Sequence, residues 1–428
     1  MGAFRRYRQA VDFLEGLSNL PLEKNYMRDR KNPSLYLKRM RYFLSLLGNP
    51  DRGFKFIHIT GTAGKGTVAT MVHEVLHASG RNVGLFTSPF VTTSIEKIRV
   101  GERYIAPDEF ADVVEYLKPF LDRAYLDGPY GRPSYFELFL AAALVYFKRQ
   151  RCEWVVLEAG LGGRYDATNT IEKPRVTAVT NIDYDHMDIL GHTLKQIARD
   201  KAGIIKRGAV FFTAEQRPAL LALFQKICGE LDVPFIHIPR IRGPEESYQG
   251  YNRALAVLIA GHLGIERKTI ARGVRAARLQ CRFEIMQKRP LVALDGAHNR
   301  AKIRSTVDNL TKLDFRKLHL IAAIADNKDK TSMLKQIIPL ADHVLFTRFQ
   351  IKDRKCAHPK ELSALSRQYL KRGASSEIFL DPERALARAL KQAGQEDLIL
   401  AVGSFFLAGE LRKKWIPEER ILQKRKDR

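Results

Sequence analysis

Cysteine, acidic residues and long apolar runs are all scarce in this sequence, and each scarcity narrows what the chain can be. The four cysteines among 428 residues, Cys152, Cys228, Cys281 and Cys356, lie far apart with neither metal-ligand nor redox spacing. They are read as reduced and mostly buried thiols. No stretch approaches the roughly 20 consecutive apolar residues of a membrane span. The start, MGAFRRYRQAVDFLEG, lacks the uncharged apolar core of a secretory signal. A cytoplasmic protein with no membrane partner is therefore expected. No internal repeat or low-complexity tract is evident. With 45% apolar and 28% charged residues, disorder and collagen-like character are excluded.

Acidic residues number 47 against 72 lysines and arginines, a formal charge of +25. Such a surplus attracts polyanions: nucleotides, polycarboxylates, nucleic acid or an anionic membrane. Basic residues cluster at Arg5, Arg6 and Arg8, at Arg28, Arg30 and Lys31, and in the tail at Lys424, Arg425, Lys426 and Arg428. A solvated face explains such runs more often than a binding patch. No basic motif is interleaved with aromatics as in single-strand binders, so nucleic acid is not the expected partner.

At about 150 residues per domain the length suggests two or three domains. Strand and helix patterns alternate along almost the whole chain, which argues for an α/β fold on mainly parallel sheets. Strands are expected at 54–60, 83–87, 154–158 and 176–182, and helices at 68–79, 135–149, 193–201, 249–264 and 268–277. Leu37, Met40, Leu44 and Leu47 mark an earlier helix stopped by Gly48-Asn49-Pro50. The segment 88–107 has little periodicity and reads as a long loop. From Leu291 the rhythm restarts, with strands at 291–294, 318–323, 343–346, 377–379 and 398–402. The boundary is placed near Arg282 to Gln287, dividing the chain into domains 1–283 and 284–428.

The strongest local signal is GTAGKGT at Gly61 to Thr67, between a strand and a helix. That context aims backbone N–H groups and a helix N-terminus at one point, and Lys65 adds a mobile cation, a combination suited to nucleotide phosphates. The spacing departs from the strict Walker pattern, because Gly66 follows the lysine and the hydroxyl of Thr67 comes one place later. An open α/β sheet binds ligands at its strand ends. Four stretches there carry suitable groups: FTSPF with Ser88, VVLEAGLGGRYDATN with Glu158, TNIDYDHMDILG with His186, and DKAGIIK with Lys201. A hydroxyl and a carboxylate suit Mg2+, which takes few protein oxygens. Taken singly, His186 reads more often as a structural histidine and Glu158 equally well as a buried ion-pair partner.

These motifs, followed by CRFEI, LDGAHN and GSFFLAGE, resemble in kind and order those of the folylpolyglutamate synthase and dihydrofolate synthase branch of the Mur ligase superfamily. The similarity runs from about residue 35 to about residue 412. It implies a P-loop, Mur-ligase-like central domain with a mainly parallel sheet and a smaller Rossmann-like C-terminal domain. The activity implied is that of an ATP-dependent amide ligase. ATP phosphorylates a carboxylate of a folate or dihydropteroate, and the amine of L-glutamate captures the acyl phosphate. ATP and Mg2+ are the implied cofactors, with room for a monovalent cation, and a monomer is expected.

The resemblance places Gly61, Thr62, Gly64, Lys65, Gly66 and Thr67 in the phosphate cradle. It places Asn252, Arg282 and Asp295 on the nucleotide, and Ser88, Glu158 and His186 at the metal site. Lys201 falls on a lysine that the family carbamylates near a second metal, and Lys65, Lys201 and His186 are the implied catalytic groups. Substrate contacts are implied for Ser134, Tyr135, Phe136, Asp166, Ala167 and His298. The pattern is broken where Ala63 replaces Asn, Phe90 replaces His and Cys281 replaces Gly. Those departures leave open a Mur-like ligase acting on another carboxylate. A basic nucleic-acid binder on a retained nucleotide fold is a further alternative.

Overall fold

The computed structural model describes residues 4–17, 32–243, 246–351 and 355–426. Arg28, Arg30, Lys31 and Arg428 lie outside the described residues. The chain divides into two compact units. One comprises Met1–Pro89 with Ile95–Arg278, the other Phe90–Ser94 with Leu279–Arg428.

The first unit is built on eight strands: β1 (Lys55–Thr60), β2 (Val83–Phe86), β3 (Ile98–Val100), β4 (Arg103–Tyr104), β5 (Trp154–Glu158), β6 (Val176–Val179), β7 (Val210–Thr213) and β8 (Phe235–His237). Their order is β4-β3-β2-β5-β1-β6-β7-β8. Pairing is parallel from β2 to β8, while β3 and β4 add an antiparallel edge. β5 and β6 are buried at every position, the condition of a parallel sheet covered on both faces, and this is why they read as continuous apolar runs.

The second unit holds β9 (Glu284–Lys288), β10 (Leu291–Leu294), β11 (Leu318–Ala322), β12 (His343–Phe346), β13 (Ser375–Ile378) and β14 (Leu398–Val402) in the order β13-β12-β11-β14-β10-β9. Only β9 pairs antiparallel. A helix separates each parallel strand from the next, as the restarted rhythm predicts.

Four expectations need correction. The segment 88–107 is not one loop: it contains a 3-10 turn at Ser94–Lys97 and the β3/β4 hairpin. Strands of three and two residues are too short to display a period. The strand expected at 176–182 ends at Val179, because the residues after it turn to bond the Gly-rich turn. The helix after that turn begins at Lys65 and not at Val68. β13 is shifted toward the N-terminus of the expected 377–379. Unanticipated elements include the helices Arg5–Gly16, Pro107–Leu126 and Pro218–Leu231 and the strands β7 and β8. All four cysteines are free thiols, and all but Cys356 are buried. Among the described residues no helix is long and apolar enough to cross a membrane.

Candidate active site

The site of the first unit lies along the C-terminal ends of β1, β2, β5 and β6. After β1 the chain makes the Gly-rich turn and enters the helix Lys65–Ala78. Gly64 stands at its N-cap with φ 85° and no side chain caps it. Helix N-termini carry orphan N–H groups and partial positive charge, so this uncapped end is available to an anion. A Cβ on Gly64 would overlap the Asn252 side chain, which packs directly over the turn. One on Gly66 would lie 3.0 Å from Glu158 Oε2. The small residues thus bring Asn252 and Glu158 onto the turn.

Two lysines converge on a single backbone oxygen. Lys65 Nζ and Lys201 Nζ each donate to the Gly61 carbonyl at 3.0 Å. Lys201 ends the helix Leu194–Lys201 and is only 3% exposed. Burial, reinforced by the Lys65 charge, pushes its ammonium down to about 7, against the pull of Asp200, Asp185 and Asp166. Asp200 accepts from Gly163 N at 2.9 Å, and burial pushes its carboxyl up.

Glu158, 4% exposed at the end of β5, accepts from Ser88 N at 3.1 Å, so the β2 and β5 ends meet at one carboxylate. The residues fit Mg2+. A buried carboxylate and a serine residue lie together beside the uncapped helix end, which suits a hard ion that takes few protein oxygens and keeps positions for phosphate. Among the described residues there is no cluster of three or more His, Cys, Asp or Glu poised for a metal. His186 stands at the N-cap position of the short helix Met187–Leu190 with φ 50° and no side-chain capping bond, its Nε2 3.8 Å from Asp185 Oδ1. Its loop is tied to the turn: Thr62 N donates to Asn181 O at 2.9 Å and Ala63 N to Asn181 Oδ1 at 2.8 Å. At Ala63, where the resemblance implies Asn, a neighbouring asparagine thus reaches the turn.

The residues placed on the acceptor side are largely engaged in structure. Ser134 caps the helix Tyr135–Arg149 in a reciprocal box with Glu137, and Glu137 is held by the buried Arg39 at 2.7 Å. Asp166 caps the turn Ala167–Thr170 and accepts from Leu161 N at 2.8 Å; Ala167 is fully buried. Phe136 packs over Gly160, directly after the Glu158 loop begins. The Tyr135 hydroxyl accepts from the buried Lys97 at 2.8 Å, a residue to which no sequence signal points.

In the second unit Arg282 and His298 pack against Phe405. The Arg282 guanidinium lies 4.4 Å from its ring centroid and the His298 ring 5.5 Å. Asp295 accepts from Thr306 Oγ1 at 2.8 Å and from Ala297 N at 3.0 Å. Burial pushes its carboxyl up to about 6. Cys281 has φ 47°, a conformation that favours glycine, and Phe90 packs on Phe406 at 6.3 Å.

The two units and the strand-end lysine and carboxylate site define a ligase of the Mur type. Residues 124–223 match the Mur ligase middle domain and residues 281–405 the Mur ligase, glutamate ligase domain. The dihydrofolate synthase/folylpolyglutamate synthase of Bacillus subtilis is 30% identical over 415 residues, covering 88% of this chain and 94% of that protein. A probable bifunctional folylpolyglutamate synthase/dihydropteroate synthase of Halobacterium salinarum is 29% identical over 96% of this chain, which spans 52% of that longer protein. The crystal structure of a folylpolyglutamate synthase from Thermotoga maritima superposes with a TM-score of 0.77 at 28% identity, covering 96% of this chain and 97% of that one. The chain belongs to the dihydrofolate synthase/folylpolyglutamate synthase family.

Proposed function

We propose that this chain works as a cytoplasmic monomer that uses ATP to join L-glutamate to a carboxylate of a folate or dihydropteroate. The observation that carries this reading is the convergence of Lys65 and Lys201 on the Gly61 carbonyl, beside an uncapped helix N-terminus and the buried Glu158.

A carboxylate is a poor electrophile, and phosphorylation gives it a leaving group. The acceptor's carboxylate oxygen attacks the γ-phosphorus, the bond to the β–γ bridging oxygen breaks, and ADP departs. The deprotonated amine of L-glutamate then attacks the acyl carbon, the bond from that carbon to the phosphate oxygen breaks, and the nitrogen gives up one proton to the departing phosphate or to water, leaving an amide. Gly61, Thr62, Gly64, Gly66 and Thr67 cradle the phosphates, and Lys65 offsets charge on the transferred group. Asn252, Arg282 and Asp295 serve the nucleotide. Tyr135, Phe136 and the Ser134 and Asp166–Ala167 turns shape the acceptor side, and His298 serves glutamate. Mg2+, when bound by Ser88, Glu158 and His186, neutralises phosphate charge. With its ammonium lowered to about 7, Lys201 is in large part free amine at neutral pH, the form that adds CO2 to give a carbamate and a proton.

Purified protein with ATP, Mg2+ and L-glutamate is expected to release phosphate only when tetrahydrofolate or dihydropteroate is added. Lack of turnover dependent on either pterin would remove the folate assignment.

A further inference from the structure

Beyond β6, three consecutive residues of the His186 loop are held from two sides. Asn181 takes the Thr62 and Ala63 amides as described, and Asp183 N donates to Thr62 Oγ1 at 2.9 Å, so both face the phosphate turn. Ile182 between them turns the other way. Its N–H donates to Glu215 Oε2 at 2.9 Å, and its carbonyl accepts from Arg217 Nη2.

Glu215 follows β7 and is 3% exposed. Arg217 grips its carboxylate with two parallel bonds, Nε to Oε1 and Nη2 to Oε2, each 2.7 Å. The carboxylate also accepts from Gln216 N and Arg217 N at 3.0 Å. It is further tied to the sheet, since Glu215 N donates to Thr213 Oγ1 at 3.1 Å and Thr213 Oγ1 to Val179 O at 2.9 Å.

An ion pair that served only β7 would have no need of Ile182. Here each partner takes one of its two backbone groups. The N–H belongs to the peptide plane before Ile182 and the carbonyl to the plane after it. Planar peptides leave only φ and ψ free, so fixing both planes fixes the direction in which the chain leaves toward Asp183, Asp185 and His186.

We infer that Glu215 and Arg217 are positioning residues that set the His186 loop against the phosphate turn. This rests on the reading of His186 as a group of the ligase site. The test is the double variant Glu215→Gln/Arg217→Met, which removes both charges and so leaves no lone buried carboxylate. Hydrogen exchange of the amides at 182–186 is expected to speed up, while the melting temperature stays close to that of the parent. A displacement of about 1 Å costs up to about a hundredfold in rate, so kcat should fall roughly 10- to 100-fold with the acceptor KM changed by less than about threefold. Arg217→Lys, which keeps the charge, should recover part of the loss. In a His186→Ala background the double variant should cost less than about threefold of the residual rate. Unchanged exchange at 182–186 would overturn the inference even if His186→Ala is itself inactive, and so would an equal cost in both backgrounds where His186→Ala keeps a measurable rate. Full turnover by His186→Ala alone would instead overturn the reading of His186, and the inference with it.

Discussion

Replacing Lys201 by Met should make the protein more stable and inactive at once. The ammonium is 3% exposed and bonds the Gly61 carbonyl with a second cation, Lys65, on the same oxygen. Burial is the main reason its titration falls from 10.5 to about 7. At about 1.4 kcal/mol per pH unit, that displacement sets roughly 4–5 kcal/mol against the folded state. Between about pH 7 and 10.5 the unfolded chain binds the proton and the folded chain does not, so wild-type stability rises with pH across that window. Below about pH 7 the full penalty is present. Methionine fills a similar volume without the charge. Allowing for the lost Gly61 bond, at about 1–2 kcal/mol, Lys201→Met should gain about 2–4 kcal/mol at pH 7. That gain should shrink by about 1 kcal/mol per unit toward pH 9. Urea unfolding at several pH values in CO2-free buffer measures both quantities. A variant less stable than wild type at pH 7, or an advantage that does not change with pH, would refute the reasoning.

Other substitutions probe the rest of the frame. Gly64→Ala imposes φ 85° on an alanine and drives its Cβ into the Asn252 amide, so nucleotide binding measured by calorimetry should weaken at least tenfold. Adding Asn252→Ala relieves the overlap but removes a proposed nucleotide contact and leaves about 1–2 kcal/mol of backbone strain, so binding should not recover. Arg39→Met leaves Glu137 buried without its guanidinium and should cost about 3–5 kcal/mol in urea unfolding, most of it recovered by Arg39→Met/Glu137→Leu. Lys65→Ala should reduce acceptor-dependent phosphate release at least a hundredfold, the scale of removing one preorganised charge contact. A charge-driven nucleic-acid binder would barely notice that change.

Much of this arrangement was legible in the sequence where one strong periodicity met one punctuating residue. The helix Tyr135–Arg149 and strands β5, β10, β12 and β14 lie at the expected residues, because buried parallel strands and a capped helix leave unmistakable runs. The Gly-rich turn, the positions of Ser88 and Glu158 at strand ends and that of Lys201 at the end of a short helix were legible for the same reason. The β3/β4 hairpin was not, since two or three residues carry no period, and its partner Lys97 looks like any surface lysine until it is buried beside Tyr135. Nor did Glu215 and Arg217 stand out: what distinguishes them is two bonds to a backbone 33 and 35 residues away. Ser134 and Asp166 show the opposite difficulty, because a residue type suited to a ligand is equally suited to a helix cap.

The five residues Phe90–Ser94 are built into the second unit while the chain on either side belongs to the first. The polypeptide therefore passes from one unit to the other at three junctions, after Pro89, Ser94 and Arg278. A gene fragment beginning at Leu279 would omit the Val91 carbonyl that packs on Gly409 and the Thr92 hydroxyl beside the fully buried Arg412 guanidinium. Such a fragment should express poorly unless the missing pentapeptide is grafted back, and after a proteolytic nick at Arg278 the piece 279–428 would still hold residues 90–94 of the other piece, by packing and not by covalent chain.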